Sequence, residues 1–370
     1  MEIEKFLDRT HRQCAPKPRS ALSLLHTTTD YMNGTEQQSQ DQNNIQRYLP
    51  TGLSLLDQAL SGGIRVGTVT ELVGRAGVGK TQLAFQLCVM AAKHNVGTMY
   101  IDTEKKLNLQ RLREMSRQRF IAQQEESNYA YENAMQQQQS ATQPPHLNYK
   151  SPAQVFANLT VQTPSSTEEL FSVLEDKTEM EILQRNQQPG HYPVRLLIVD
   201  SIAAPLKRDF GSDSAPQRAA AVFSIAQTLK RLADQLQLAI VVINQVGVSE
   251  TSSSGGVAEA APVGFREHFR PDVSVRAALG TSWHHCVSTR LLMEHHVDPH
   301  RLQDEEWTSH KQIPRVQDHI KNHDRASEVR RLSVVKSNIV AFSSMEFEVA
   351  AMGIVEVPKA ITRLQEAEYQ

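Results

Sequence analysis

Residues 74–81 read Gly74-Arg75-Ala76-Gly77-Val78-Gly79-Lys80-Thr81, which matches the spacing G-x-x-x-x-G-K-[ST]. The glycines allow successive backbone N–H groups to turn toward one anionic phosphate, because no Cβ atom blocks that path. At this spacing Lys80 reaches the β- and γ-phosphates of a nucleotide, and the Thr81 hydroxyl is a ligand for Mg²⁺. The stretch therefore predicts a site for ATP with Mg²⁺. The alternative is a glycine-rich turn that fits the pattern by chance.

The residues on either side of this loop predict a strand before it and a helix after it. Residues 68–73 form an apolar run typical of a buried strand, and residues 82–93 place their apolar side chains on one helical face. Such a strand and helix are the repeating unit of a parallel sheet. The N-terminus of the helix offers its positive end to phosphate, so we expect the cofactor contacts to extend to Gln82.

Three further predicted strands end in polar residues. The strands are residues 97–101, 195–199 and 239–243, and they are followed by Asp102-Thr103-Glu104, by Asp200 and by Asn244-Gln245. In open α/β sheets, ligands bind at the carboxyl edge of the strands. Residues 331–336 and 345–349 alternate apolar and polar side chains and predict antiparallel strands. The predicted fold class is therefore α/β, with a mostly parallel central sheet and antiparallel C-terminal strands.

Two carboxylates at this predicted edge are candidates for the chemistry. The run Leu196-Leu197-Ile198-Val199-Asp200 is an apolar strand that ends in the Asp expected to coordinate Mg²⁺. The alternative for Asp200 is a buried strand that happens to stop at this residue. Glu104 follows a neighbouring strand and is placed to orient and deprotonate an attacking water. The alternative for Glu104 is a solvated loop carboxylate.

The composition limits the class of protein. The 370 residues are 39% apolar and carry a formal net charge of −2, which predicts one sizeable domain without a global basic field. Any contact with nucleic acid is then local or shared with a partner. The three cysteines lie far apart and favour neither a disulfide framework nor a zinc module. The charged N-terminus and the lack of a run of about 18 apolar residues predict an intracellular protein without a membrane partner.

We expect a single core interrupted by polar segments. Residues 1–50 are a short N-terminal segment and polar linker, and residues 51–357 form the core. A Gln-rich insertion near 118–145 is expected to be disordered, a charged insertion near 295–327 to be exposed, and residues 358–370 to form a tail.

Histidine and tryptophan residues near position 285 carry weaker signals. The spacing of His284-His285-Cys286 and of His295-His296 fits no metal-ligand pattern, and we expect them on or beside a strand, where alternate side chains point apart. Trp283 is expected to be a packing residue and Trp307 an exposed residue of the charged insertion, rather than platforms for bases.

The sequence resembles the RecA-type recombinases, specifically their eukaryotic branch, over residues 51–357. Besides the phosphate loop, the resemblance is carried by four stretches: Tyr100-Ile101-Asp102-Thr103-Glu104, Val199-Asp200-Ser201, Lys230-Arg231-Leu232-Ala233-Asp234 and Val242-Ile243-Asn244-Gln245-Val246. Within that branch, Asp200-Ser201-Ile202-Ala203-Ala204-Pro205 and Ala278-Leu279-Gly280-Thr281-Ser282-Trp283 are most similar to the X-ray cross-complementing group-three type of recombinase paralogue. That type is a mediator that works beside the main recombinase in homologous recombination and double-strand break repair.

The resemblance implies a RecA-like ATPase core and a role for each candidate residue. It makes Lys80 and Thr81 nucleotide ligands, Glu104 the catalytic carboxylate and Asp200 the metal-side aspartate. Gln245 becomes the sensor that links the γ-phosphate to DNA. Two DNA-binding loops are implied, one with Lys207-Arg208-Asp209-Phe210 and one with Phe265-Arg266-Glu267-His268-Phe269-Arg270, where cations and rings alternate as single-strand binding requires. The alternative is that both are ordinary solvated loops.

Departures from the family pattern shape the expected function. Residues 1–50 contain no Phe-x-x-Ala, the docking motif of self-polymerising members, so we do not expect the chain to form filaments by itself. We expect a nuclear mediator with weak DNA-dependent ATPase activity. It would bind single-stranded DNA together with other recombinase paralogues. The alternatives are a filament-forming strand-exchange recombinase and a regulatory RecA-fold ATPase outside recombination. Where the family often has Asp-x-Pro, this chain has Lys336-Ser337-Asn338, and the hypothesis is that Lys336 reaches the γ-phosphate across a subunit interface.

Overall fold

The computed structural model describes residues 47–136, 152–249, 274–277, 279–295 and 329–357. Its strands in chain order are β1 Tyr48–Leu49, β2 Ile64–Arg65, β3 Thr68–Gly74, β4 Gly97–Asp102, β5 Leu159–Gln162, β6 Val194–Asp200, β7 Ala239–Ser249, β8 Ser274–Ala277, β9 Thr289–His295, β10 Arg330–Ser337, β11 Ser343–Ala350 and β12 Gly353–Glu356. Its α-helices are α1 Ser54–Ala59, α2 Lys80–Lys93, α3 Leu109–Gln136, α4 Pro152–Ala157, α5 Thr167–Ser172, α6 Thr178–Asn186, α7 Ala203–Asp209, α8 Ala215–Leu236 and α9 Gly280–Cys286. A π-helical turn, Val173–Lys177, joins α5 to α6.

One mixed sheet organises these elements, in the order β12-β11-β10-β9-β3-β7-β6-β4-β5. The strands from β9 to β5 pair in parallel, and β9 to β12 pair antiparallel. β8 pairs only with the outer end of β7, and β1 pairs with β2 in a separate two-stranded sheet. The predicted α/β class, mostly parallel with antiparallel C-terminal strands, is confirmed.

Apolar side chains alternate between the two faces of the sheet. Leu72 and Tyr100 belong to the core on the side of α2, whereas Val69, Met99 and Ile101 belong to the core on the side of α8. The period of two follows from the pleat of a strand. Strands buried on both faces are typical of parallel sheets covered by helices, which explains their continuous apolar runs.

Helix α2 is more deeply buried than its sequence pattern indicated. It begins at Lys80 rather than at residue 82, and its side chains from Leu83 to Ala92 are all buried. The reason is that α2 lies against the sheet on one side and against α3, α4 and β12 on the others. The first turn of α2 is therefore held firmly at the end of the phosphate loop.

Two predicted boundaries are wrong. The folded part begins before residue 51, because Tyr48 and Leu49 already pair with β2. Residues 118–136, expected to be disordered, are helical and extend α3 to Gln136. Glutamine is a good helix former, and the Arg119 side chain anchors this helix by donating from Nε to Met352 O at 2.8 Å and from Nη2 to Ile354 O at 3.1 Å.

Several expected segments lie outside the described residues. They are residues 1–46, the rest of the Gln-rich insertion from 137 to 145, residues 296–327 with Trp307 and His296, and the tail 358–370. Among the helices that are described, none is both long and apolar enough to cross a membrane.

Candidate functional site

The parallel register brings the candidate residues to one edge of the sheet. Gly74 at the end of β3 is opposite Gln245 of β7, and Asp102 at the end of β4 is opposite Asp200 of β6. Beyond Gln245, β7 leaves the main sheet and pairs with β8 instead. The sensor candidate therefore lies where the strand changes partner, rather than where the strand ends.

The glycines of the phosphate loop are required for two different reasons. Gly77 and Gly79 have φ angles of 80° and 112°, which side chains with a Cβ rarely adopt. At Gly74 an added Cβ would lie 2.5 Å from the carbonyl oxygen of Met293 in β9, so this glycine allows the loop to pack against the neighbouring strand. The loop therefore has the backbone shape that a phosphate cradle needs.

Lys80 is buried at the base of this loop. It is 7% exposed, and its ammonium donates to Gly74 O and Arg75 O, both at 2.7 Å. The first N–H groups of any α-helix lack partners within the helix, and no side chain caps the start of α2. An ammonium and a set of N–H donors thus face the same space, which fits a polyphosphate.

Burial lowers the pKa of Lys80 from 10.5 to about 8. The charged form of the ammonium binds phosphate, so ATP binding above pH 8 requires the uptake of one proton. The affinity for ATP therefore falls by about tenfold for each pH unit above 8. We expect the dissociation constant for ATP to rise from pH 8 to pH 9.5 and to change little between pH 6.5 and pH 7.5. Titration with a fluorescent ATP analogue at fixed Mg²⁺ checks this, and an affinity that stays constant to pH 9.5 would contradict it.

Thr81 and Asp200 meet beside the phosphate loop. The Thr81 hydroxyl donates to Asp200 Oδ2 at 2.9 Å, and the Tyr100 hydroxyl donates to the same oxygen at 2.9 Å. Burial is the largest cause of a raised pKa for the Asp200 carboxyl. Oxygen ligands of this kind suit Mg²⁺, which usually takes one or two protein oxygens and completes its shell with phosphates and waters. The residues present therefore fit the expected ion.

Glu104 lies between two donors. Gln245 Nε2 donates to Glu104 Oε1 at 2.9 Å, and the Lys106 ammonium donates to Glu104 Oε2. Asp102 shapes the turn, because its carboxylate accepts from Glu104 N at 3.2 Å and from Leu107 N at 2.8 Å. The structure thus joins the predicted base to the predicted sensor. Sequence reasoning missed Lys106, although a cation two residues after the candidate base was a visible signal.

Gln82 is held by a residue that the sequence analysis did not single out. Arg111 Nε donates to Gln82 Oε1 at 2.8 Å, while its Nη1 and Nη2 donate to Ala351 O at 2.8 Å and Ala350 O at 2.5 Å. The side chain of Gln82 therefore connects the first turn of α2 to the end of β11. No sequence pattern predicts this contact of Arg111.

A buried polar cluster includes Glu71 of β3, three residues before the phosphate loop, and we call it the Glu71 cluster. Glu71 Oε1 accepts from Asn244 Nδ2 and from Trp283 Nε1, both at 2.7 Å, and Glu71 Oε2 accepts from Arg290 Nε at 2.5 Å. The fifth member is His284, whose Nδ1 accepts from Arg290 Nη1 at 2.6 Å. Trp283 is a buried packing residue as predicted, and its indole N–H also donates a hydrogen bond to Glu71.

Residues 284–286, expected on or beside a strand, lie in a helix that ends shortly before β9. They form the end of α9, whose first residues follow β8. Burial, followed by the charge of Arg290, lowers the pKa of His284 to about 4, so this imidazole is neutral at pH 7 and can accept from Arg290. Among the described residues, no group of three or more His, Cys, Asp or Glu side chains is arranged to hold a metal ion.

Lys336 is engaged within its own chain. Its ammonium donates to His284 O and, at 2.8 Å, to Val287 O, carbonyls at the C-terminal end of α9. Helix ends leave such carbonyls without partners within the helix, and cations stabilise them. Within the single chain Lys336 therefore stabilises the end of this helix, and its contact with a neighbouring γ-phosphate stays a hypothesis.

The two predicted DNA loops have different outcomes. Lys207, Arg208 and Asp209 end helix α7 and are not in a loop, and only Phe210 follows it. All three are exposed, and Arg208 Nε lies 3.7 Å from Asp209 Oδ1. The second predicted loop, residues 265–270, lies outside the described residues.

Comparison with known proteins gives consistent family matches. The family model described as Rad51 matches residues 42–161 and 151–266, more than half of the chain. The chain is 28% identical over 317 residues to DNA repair protein RAD51 homolog 2 of Homo sapiens, covering 81% of this chain and 71% of that protein. It is 27% identical over 333 residues to DNA repair protein XRCC3 homolog of Arabidopsis thaliana, covering 84% of this chain and 93% of that protein.

The relatives do not single out one paralogue. DNA repair protein XRCC3 of Mus musculus is 28% identical over 322 residues, covering 84% of this chain and 75% of that protein, which is the same level as the human RAD51 homolog 2. The resemblance to the group-three type depended on two short stretches. The comparisons do not distinguish it from a resemblance to RAD51 homolog 2.

Proposed function

The chain belongs to the Rad51 family, whose members are ATPases of DNA repair, and we propose that it is a recombinase paralogue that acts as a mediator in homologous recombination and double-strand break repair. In this role it binds single-stranded DNA in the nucleus, together with other recombinase paralogues, and hydrolyses ATP weakly. The single observation that carries the proposal is that five candidate residues meet at one edge of the sheet in a chain of this family. They are Lys80, Thr81, Asp200, Glu104 and Gln245.

Each of these residues has a role that its contacts support. Lys80 and the backbone N–H groups of residues 74–82 bind the phosphates of ATP, and Thr81 with Asp200 holds Mg²⁺. Bound Mg²⁺ neutralises charge on the phosphates during hydrolysis. Glu104 orients a water and accepts its proton, and the hydrogen bond from Gln245 fixes the orientation of that carboxylate.

The exposed side of the phosphate loop supports an ATP site completed by a partner. Arg75, Ala76 and Gly77 are exposed, whereas Lys80 below them is buried. A nucleotide held there keeps one side open to solvent until another subunit covers it. We therefore propose that a second recombinase paralogue, rather than a further copy of this chain, supplies the other half of the site.

Purification of the tagged full chain from its own cells tests this function. We expect a second recombinase paralogue to be recovered at a near-equal amount with Mg²⁺ and ATP, and less of it after the nucleotide is removed. We also expect the pair, but not the chain alone, to bind single-stranded DNA more tightly than duplex DNA.

Two outcomes would contradict the proposal. Long homopolymers of the chain alone, formed with ATP and single-stranded DNA in size-exclusion chromatography, would indicate a filament-forming strand-exchange recombinase. Recovery without any recombinase paralogue, together with equal affinity for single-stranded and duplex DNA, would indicate a regulatory ATPase outside recombination.

A further inference from the structure

A positively charged cavity opens beside the candidate base. Its volume is about 530 Å³, and its lining includes Glu104 and Gln245 together with four cations. Those cations are Lys105, Lys106, Lys207 and Arg208. Two come from the turn after β4 and two from the end of α7, so the sheet edge brings together charges that are about 100 residues apart in sequence. Glu104 is the acidic residue of the lining, Asp209 lies near Arg208, and the charges of Asp102 and Asp200 also act on Lys106.

Within this cavity Lys106 folds back onto the candidate base. Lys105 has a φ of 54°, a left-handed conformation that turns the chain, and the Lys106 ammonium reaches Glu104 Oε2 two residues before it. The other oxygen, Oε1, already accepts from Gln245. Both oxygens of the carboxylate are therefore engaged. The ammonium thus occupies the oxygen that the base would otherwise offer to a water.

The two partners of this ion pair differ sharply in exposure. The Lys106 side chain is 70% exposed, whereas the Glu104 side chain is 15% exposed. The Lys106 end of this ion pair is open to solvent, so water and ions can replace its partner, and salt weakens the contact. The ammonium can therefore leave at low cost while the carboxylate stays in place. The hydrogen bond and charge of Glu104 raise the pKa of Lys106, so this side chain is charged in the contact.

We propose that the cavity binds a backbone phosphate of single-stranded DNA, and that this phosphate releases Glu104 by taking over the Lys106 ammonium. The inference rests on the proposed function and adds the way in which DNA controls hydrolysis. Lys105, Lys207 and Arg208 supply the remaining charge for the phosphate. Without DNA, Lys106 restrains the base; with DNA, Glu104 keeps only the orienting contact from Gln245.

The decisive variant is Lys106→Gln, assayed in the full chain with its co-purified partner. We expect ATP hydrolysis without DNA to rise by about three- to tenfold, because Glu104 Oε2 is then free to accept a hydrogen bond from a water. Stimulation by oligo(dT) is expected to fall correspondingly. Lys106→Arg keeps the cation and is expected to restore low basal hydrolysis. Lys177→Gln removes an exposed lysine from the π-helical turn and serves as the control, with unchanged basal and stimulated rates.

Two further measurements of ATP hydrolysis, with added salt and with an uncharged DNA backbone, distinguish the proposed restraint on Glu104 from a purely structural role of Lys106. Basal hydrolysis of the unmodified protein is expected to rise with KCl, because salt screens the exposed ion pair, whereas that of Lys106→Gln stays flat. An oligonucleotide with a neutral methylphosphonate backbone is expected not to stimulate the unmodified protein. The double variant Glu104→Gln/Lys106→Gln is expected to hydrolyse ATP no faster than Glu104→Gln alone, because a gain that acts through Glu104 needs that carboxylate.

The outcomes separate this inference from the proposed function. Unchanged basal hydrolysis in Lys106→Gln, in a protein that single-stranded DNA still stimulates, overturns the inference and leaves the proposed function standing. Absence of hydrolysis from both proteins overturns the inference as well. Raised hydrolysis in Lys106→Gln without any paralogue partner or affinity for DNA supports the restraint on Glu104 and counts against the proposed function.

Discussion

Lys80→Ala is expected to weaken ATP binding by about 100-fold or more and to abolish hydrolysis. The ammonium donates two hydrogen bonds within a buried site, and bonds to charged groups are worth about 1.5–3 kcal/mol each. Two such contacts with phosphate correspond to at least about 3 kcal/mol, and about 1.4 kcal/mol is a factor of ten. Isothermal titration with ATP and Mg²⁺ measures the change directly.

Lys93→Ala is the matched control, because it removes an exposed lysine from the last turn of the same helix. It is expected to bind ATP like the unmodified protein. The unfolding midpoint without nucleotide is to be measured for both variants, since Lys80→Ala also removes partners from Gly74 O and Arg75 O. An affinity within threefold of normal in a folded Lys80→Ala protein would show that the loop does not hold the phosphates. Normal assembly of that variant with its partner would show that the nucleotide does not control assembly.

Glu71→Ala is expected to produce the largest loss of stability, about 3–5 kcal/mol in the free energy of unfolding. Glu71 is 0% exposed and accepts three hydrogen bonds, from Asn244, Trp283 and Arg290. Its removal leaves the Arg290 guanidinium buried without its carboxylate and leaves an amide and an indole N–H without acceptors. Denaturant titration at pH 7, followed by circular dichroism, measures the change.

Two further variants make this prediction specific. Glu114→Ala removes an ion pair at 2.8 Å with Arg111, but Glu114 is exposed, so we expect a loss below about 1 kcal/mol. The double variant Glu71→Leu/Arg290→Met replaces both charges by apolar side chains and is expected to recover much of the loss of Glu71→Ala. A Glu71→Ala protein as stable as Glu114→Ala would mean that the Glu71 cluster does not hold the sheet together.

The Glu71 cluster also connects the site to the helix beyond β8. Asn244 precedes Gln245 on β7, and Trp283 and His284 belong to α9, whose C-terminal carbonyls accept from Lys336. Hydrogen bonds through Glu71 therefore join α9 to the strand that carries the sensor candidate.

The sequence by itself determined the phosphate loop, the strand and helix around it, and the parallel strand segments that lead to Asp102, Asp200 and Gln245. These features are local, because a loop spacing or an apolar run is complete within about ten residues. The α/β class follows from their alternation. Residues 118–136 were expected to be disordered for the same reason, from composition alone, yet they are helical, and Arg119 at their start contacts residues 352 and 354.

Only the tertiary structure decided which side chains share a site. Arg290 and Glu71 are separated by 219 positions, Gln245 and Glu104 by 141, and no periodicity in either segment identifies the partner. Lys106 is close to Glu104 in sequence, yet its contact depends on the turn at Lys105 and on the position of the carboxylate between two strands. Local patterns fix the phosphate loop because its chemistry lies within eight consecutive residues. The surroundings of Glu104 depend on long-range packing, which brings Gln245 and the cations of α7 to the same edge of the sheet.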